Sequence, residues 1–195
     1  MDNTKYWFYS SNFIPFAVDI FHQLISDIDK YFPERTMFLY GKTVKLKRRS
    51  CIVTSTTSMN DQVPSKILYN SDDLPFFDWT ECSQVERCKQ FLNEKLKINF
   101  DYCLVHLYPD EKAGIGWHFD KEALKTPIVS ISLGETRKFR LRPFSETKSW
   151  SNEFELKHGD MFLMKTGCQQ NYKHCVPVET SSKKARINLT FRRLE

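Results

Sequence analysis

Hydrophobic and polar positions repeat in two different ways along this chain, and the change of period falls near residue 100. Ahead of it, Ile20, Phe21, Leu24, Ile25 and Ile28 recur at helical spacing, which predicts an amphipathic helix over 16–30 that stops before Pro33. A second helix is predicted from Ser83, with Ser83 and Glu86 as a capping box. Its apolar stripe is Val85, Cys88, Leu92 and Leu96, opposite Glu86, Lys89 and Glu94. Residues 42–54 have extended character, 55–82 carry the Ser, Thr, Asn, Asp and Pro clusters of a loop, and the first third is otherwise irregular.

Beyond residue 100 the period falls to two. Strands are predicted over 100–108, 128–133, 138–142, 153–156, 161–165, 174–178 and 185–193. Turn residues separate them: Pro109, Gly114, Gly116, Gly134, Pro143, His158-Gly159-Asp160 and Gly167. Many short strands with few helices predict a mainly β fold with flanking helices (α+β), built as a sandwich, barrel or jelly roll. The last strand alternates most strictly. Ile187, Leu189 and Phe191 share one face, and Arg186, Asn188, Thr190 and Arg192 share the other. That polar face is either wet or lines an anion-binding cavity, where two arginines would grip the ends of a small dicarboxylate through paired hydrogen bonds.

Composition narrows this picture slightly. The 195 residues, 41% of them hydrophobic and 16 of them Phe, suit one globular domain. A net charge of +5 leans toward polyanionic partners without establishing one. The six cysteines include no CxxC spacing, so a zinc ribbon or thioredoxin-like site is not indicated and free thiols are expected. The opening residues do not read as a signal peptide, and no apolar run is long enough to cross a membrane. The expectation is a soluble intracellular monomer, cytoplasmic or nuclear.

Gly116-Trp117-His118-Phe119-Asp120 contains His-x-Asp, which in an extended chain aims an imidazole and a carboxylate the same way. His174 follows at the start of a later strand. Two histidines and one carboxylate form a facial triad suited to non-haem iron(II), leaving three neighbouring positions open. Two could take a keto acid and one dioxygen. Zinc hydrolysis is the alternative, but it gives the arginine face no role. A bare His-x-Asp is common, so the specificity lies in its order with the later His and the two arginines.

These residues, with Leu107-Tyr108, Pro127 to Gly134, His158-Gly159-Asp160 and Arg186-x-Asn188-x-Thr190-Phe191-Arg192, make the chain resemble the AlkB family of nucleic-acid dealkylating dioxygenases from about Asp101 to Arg192. The resemblance implies a double-stranded β-helix (jelly roll) and one domain over 1–195. Residues 1–98 would supply N-terminal helices and a nucleotide-recognition lid, and 99–195 the catalytic core. It implies Fe(II) on His118, Asp120 and His174, with no catalytic side chain beyond these ligands. It places 2-oxoglutarate on Arg186 with help from Tyr108, Asn188 and Thr190, and puts Arg192 near the metal-side carboxylate. Relatives carry Asn where this chain has His106, which shares Tyr108's strand face and is expected in the same site.

The implied reaction is oxidative demethylation of N-alkylated bases in DNA or RNA, releasing formaldehyde, succinate and carbon dioxide. The base would be single-stranded or flipped out of a helix. A hydroxylase of protein side chains, or a catalytically weakened nucleic-acid-binding relative, are the competing readings. For the substrate, Glu122 would read an exocyclic amino group or sit exposed on a loop, and Trp117 would stack or merely pack. In the run Lys42, Lys45, Lys47, Arg48 and Arg49, with Val44 and Leu46 inward, Lys45, Lys47 and Arg49 share an outer face. That face either contacts phosphate, with Lys47 and Arg49 foremost, or guards an edge strand. Tyr69 is the aromatic candidate for stacking on the base, and Lys138, Arg140 and Arg142 form a second basic face.

Overall fold

The computed structural model describes residues 2–39, 41–55, 74–146, 152–181 and 183–194. Tyr69 lies outside them. Their elements are β1 (Asp2–Asn3), β2 (Trp7–Ser10), α1 (Ala17–Ser26), α2 (Ile28–Tyr31), β3 (Thr36–Leu39), β4 (Lys42–Lys45), β5 (Arg49–Thr54), β6 (Phe76–Asp78), α3 (Ser83–Leu96), β7 (Tyr102–Tyr108), β8 (Ile115–His118), β9 (Ile128–Gly134), β10 (Arg137–Pro143), β11 (Asn152–Leu156), β12 (Met161–Met164), α4 (Cys168–Asn171), β13 (Tyr172–Val176) and β14 (Arg186–Arg192). A major sheet runs β1-β2-β12-β9-β14-β7-β5-β6, a minor sheet runs β11-β10-β13-β8, and β3 and β4 form a hairpin. The result is a jelly roll with helices on one side, as expected.

β14 sits at the centre of the major sheet, antiparallel to β7 and β9. All seven of its residues are buried, so its polar face is not wet. Ile187, Leu189 and Phe191 pack outward against Ile20 and Leu24 of α1 and Val85, Cys88 and Leu92 of α3. Each such side chain stabilises the fold by about 1.5–3 kcal/mol when fully buried. A second core lies between the sheets, where Phe139 and Leu141 of β10 meet Phe162 and Met164 of β12, with Trp7 and Leu156 beside them.

Several expectations are corrected. The helix expected over 16–30 breaks at Asp27, which adopts φ −129° and ψ 54°. Ser83 is not a cap but a residue of the helix. The capping box forms earlier, where the Asp78 side chain accepts from Thr80 N and Glu81 accepts from Asp78 N, and it starts a 3-10 turn that runs into α3. The first third is not irregular, since β2 pairs with β12 and extends the major sheet. The segment 55–82 contains β6, parallel to β5. The basic run is not one strand either. It leaves β4 at Lys45 and re-enters at Arg49, so no common outer face joins Lys45, Lys47 and Arg49, and Val44 is 43% exposed rather than inward.

One glycine is required by contact. Gly134 leaves β9 at φ +84°, and a Cβ there would lie 2.5 Å from the Ala185 carbonyl and 2.6 Å from the Phe21 ring. Gly134→Ala is expected to lower the unfolding free energy by roughly 2 kcal/mol or more, read from urea denaturation.

Candidate active site

His118 ends β8, Asp120 follows it in extended conformation, and His174 lies on β13 directly opposite His118. The β8–β13 pairing shifts register between His118 and Ile115, so β8 carries one extra residue. Such a bulge re-aims side chains, and it lets both Ile115 and His118 line the interior. His118 Nε2 stands 3.8 Å from Asp120 Oδ1, and His174 Nε2 stands 3.7 Å from Asp120 Oδ2. All three donor atoms lie within 4.8 Å of one another. The separations are too long for hydrogen bonds and suit donors that share a cation. His118 Nδ1 lies 2.8 Å from the Gly116 carbonyl, which can only accept. Nδ1 therefore carries the hydrogen, and Nε2 presents its lone pair to the cluster.

Electrostatics keep these groups ready to ligate. Burial lowers the pKa of His118 and pushes His174 down to about 3. Burial alone would raise Asp120, but opposing charge led by the Arg192 guanidinium holds its carboxyl below the usual range. The site thus offers two neutral imidazoles and one carboxylate. Gln169 of α4 fixes the loop by accepting from Asp120 N at 3.0 Å. Nothing in the sequence singled out Gln169, because a buried glutamine holding a loop has no distinctive spacing.

The polar face of β14 lines the same cavity. Arg186 Nη2 donates to Ser132 Oγ at 2.8 Å and to Asn188 Oδ1 at 2.9 Å. Asn188 Nδ2 donates to Thr190 Oγ1 and its Oδ1 accepts from Ser130 Oγ, each at 2.8 Å. Tyr108 stands beside the Arg186 guanidinium, 5.2 Å from its ring centroid. Arg186 is 1% exposed, yet its Nε and Nη1 have no hydrogen-bond partner and no carboxylate pairs with it among the described residues. Burial lowers its pKa only to about 10, so it stays charged at neutral pH. A buried guanidinium with open donors facing a cavity fits one end of a dicarboxylate.

Arg192 is spent differently. Its Nη2 lies 3.2 Å from Asp120 Oδ2 and its Nη1 donates to Glu122. Burial opposes its charge, but Asp120, Tyr102 and Glu122 raise its pKa. The two arginines therefore do not form a matched clamp, and Glu122 is an ion-pair partner rather than an exposed loop residue. His106 lines the inner cavity, with Nδ1 held 2.7 Å from Ser50 Oγ, but it is not one of the grouped metal donors.

The inner cavity joins a larger cleft of about 900 Å³ through Arg48, His106, Ile115 and Val176, which line both. Arg35, Lys47, Lys112 and Arg140 also line the cleft, and no carboxylate among the described residues does. Trp117 lies there too, its ring 4.3 Å from the Arg142 guanidinium. Arg49 points elsewhere, donating to the Phe32 carbonyl and to Glu34. The basic run thus presents Lys47 and Arg48 rather than Lys47 and Arg49. The break between β4 and β5 that reverses their facing is not visible as a turn residue in the sequence. The second basic face is partly neutralised, because Glu153 pairs with both Lys138 and Arg140.

The model of the 2OG-Fe(II) oxygenase superfamily matches residues 14–192. This chain belongs to that superfamily. Iron(II) and 2-oxoglutarate, expected from the sequence, are the cofactors it implies. The resemblance to AlkB proteins holds among curated relatives as well. The chain is 33% identical over 124 residues to alpha-ketoglutarate-dependent dioxygenase alkB homolog 3 of Mus musculus, covering 58% of this chain and 41% of that one. It is 35% identical over 119 residues to DNA oxidative demethylase ALKBH2 of Bos taurus, covering 56% and 43%. It therefore spans about two fifths of the length of these relatives. The solved structure titled "The structure of OsALKBH1" superposes with a TM-score of 0.63 at 20% identity, over 99% of this chain and 100% of that one, which supports the fold. No helix among the described residues is long and apolar enough to cross a membrane.

The depressed histidines give a pH dependence with a definite sign. A group whose folded pKa lies below its unfolded value binds more protons unfolded, so stability is lost as pH falls below the unfolded value. Metal-free protein is expected to lose stability from the ordinary histidine value of 6.5 downward, toward the value of about 3 for His174. Urea midpoints at pH values of about 7.5 and 5 should show the drop, and His174→Gln should reduce it.

Proposed function

We propose that this chain is an oxidative demethylase of N-alkylated bases in DNA or RNA. The observation that carries the reading is one passage: a cavity holding a His-Asp-His donor set and an uncompensated arginine opens into a cleft whose charged lining, among the described residues, is cationic. His118, Asp120 and His174 would hold Fe(II). Arg186, supported by Tyr108, Asn188 and Thr190, would receive the distal carboxylate of 2-oxoglutarate. With dioxygen, the bound pair supplies oxidation of an N-methyl C–H bond, yielding succinate, carbon dioxide and a hydroxymethyl group that leaves as formaldehyde.

The chain's own contribution is placement and charge. Arg186 fixes the far end of the co-substrate, so its keto acid end is directed toward the donor set. Arg192 keeps Asp120 ionised and steady. The packed walls of Phe139, Met164 and Val176 limit water around these charged groups. No general base is needed, and the neutral histidines do not act as one. In the cleft, Arg35, Lys47 and Lys112 have no ion-pair partner among the described residues, which suits a phosphate backbone. A base leaving that backbone would pass the neck to reach the donor set.

The test is formaldehyde release from oligonucleotides carrying 1-methyladenine, 3-methylcytosine or N6-methyladenine, as single-stranded DNA and as RNA, matched to succinate formed. Succinate stimulated by protein extract but by none of the oligonucleotides would instead indicate a protein substrate. His118→Ala and Asp120→Ala are expected to abolish turnover. Arg186→Ala is expected to raise the 2-oxoglutarate requirement roughly thirtyfold, from the loss of one side of a buried charge pair. Lys47→Ala should weaken oligonucleotide binding and reduce its salt slope by about one, whereas Arg49→Ala should leave the slope unchanged.

A further inference from the structure

The neck between the two cavities holds the arrangement that the cofactor site leaves unexplained. Arg48 lines both the cleft and the inner cavity. Its Nη1 is sealed from solvent and has no hydrogen-bond partner, and Arg48 makes no ion pair among the described residues. A sealed guanidinium nitrogen without a partner is costly unless an acceptor joins it, and an oxyanion is the acceptor that suits its charge. Beside it in the lining of both cavities is His106, whose ring is fixed by Ser50 across the β5–β7 pair. With Ser50 donating to Nδ1, the imidazole hydrogen sits on Nε2, which no described residue engages. In that tautomer Nε2–H is a neutral donor beside the charged Arg48 in the lining of the same neck.

Two oxyanions could meet them: a phosphate of the substrate or a carboxylate of the co-substrate. The charge distribution favours the phosphate. Inside the neck, Arg186 already answers a carboxylate, and Arg192 is matched by Asp120 and Glu122. Outside it, Arg35, Lys47 and Lys112 continue the same cationic lining. We propose that Arg48 and His106 form a phosphate-receiving neck that seats the phosphate flanking the reacting nucleotide, with Ser50 as the positioning residue for His106. This rests on the nucleic-acid reading above. It moves His106 from the cofactor's grip to the substrate's, where its departure from the relatives' Asn adds a donor that reaches farther.

The test compares wild type with Arg48→Ala, Arg48→Lys and His106→Asn on two ligands. One is a fluorescent single-stranded oligonucleotide with one methylated base, native or with one flanking phosphate replaced by a neutral methylphosphonate. The other is 2-oxoglutarate, titrated calorimetrically into Mn(II)-loaded protein without nucleic acid. Arg48→Ala should weaken native oligonucleotide about tenfold, with Arg48→Lys between it and wild type and His106→Asn costing about threefold. One methylphosphonate should abolish the difference between wild type and Arg48→Ala, and 2-oxoglutarate affinity should stay within about twofold. Loss of 2-oxoglutarate affinity with unchanged oligonucleotide binding would assign the neck to the co-substrate and overturn the proposal. So would an Arg48→Ala effect that survives methylphosphonate at either flanking position. A wild-type protein that binds none of the oligonucleotides would overturn the nucleic-acid reading itself, an outcome distinct from a defect confined to the neck variants.

Discussion

Burial of β14 on both faces is the constraint from which the rest of the molecule follows. A strand flanked by two others and covered on both sides must satisfy its ladder and two different environments. Outward, Ile187, Leu189 and Phe191 need an apolar cover, which α1 and α3 supply. Inward, Arg186, Asn188, Thr190 and Arg192 need polar company in a place water hardly reaches. The minor sheet encloses that second face, and the donor set on β8 and β13 is carried to it as part of the enclosure.

Three buried guanidiniums show how the interior separates scaffold from site. Arg137 donates through its Nη atoms to the carbonyls of Asp110, Ala113 and Pro177, with Glu179 3.5 Å from its Nε, so it ties loops together. Arg192 pairs through its two Nη atoms with two carboxylates and steadies a metal-ligand candidate. Arg186 alone of these three lacks a carboxylate partner, and it faces the cavity. Equal burial therefore has three meanings, and only the partner inventory tells them apart.

Much of this was legible in the sequence, and for physical reasons. Period-two alternation located β7 and the strands from β9 to β14, whereas β8 falls where Gly114 and Gly116 read as turn residues. The stripe Val85, Cys88, Leu92 located α3, although the cap was misplaced, since Asp78 and Glu81 satisfy the same capping pattern one turn earlier. The candidate donor set was readable because His118 and Asp120 stand two apart in extended chain and His174 lies on a later strand. β2 was missed because Trp-Phe-Tyr-Ser carries no alternation, both its ends being buried. The orientation of the basic run was missed because facing depends on where strands stop, and residues 46–48 carry no Gly or Pro to mark the break. Likewise, the partners of Arg192 could not be read from spacing, because Glu122 and Arg192 meet only through the fold.

Arg186 and Arg192 supply two positive charges, and Asp120 and Glu122 supply two negative ones. Apart from Arg48 at the neck, whose charge faces the cleft as well, these resident groups sum to zero. A divalent cation alone would leave the enclosed space with a double positive excess, and a dicarboxylate alone with a double negative one. Loaded together they restore neutrality, so each lowers the electrostatic cost of burying the other. By reciprocity, whatever affinity one gains from the other's presence the other gains equally. The cavity is thereby built to fill in pairs.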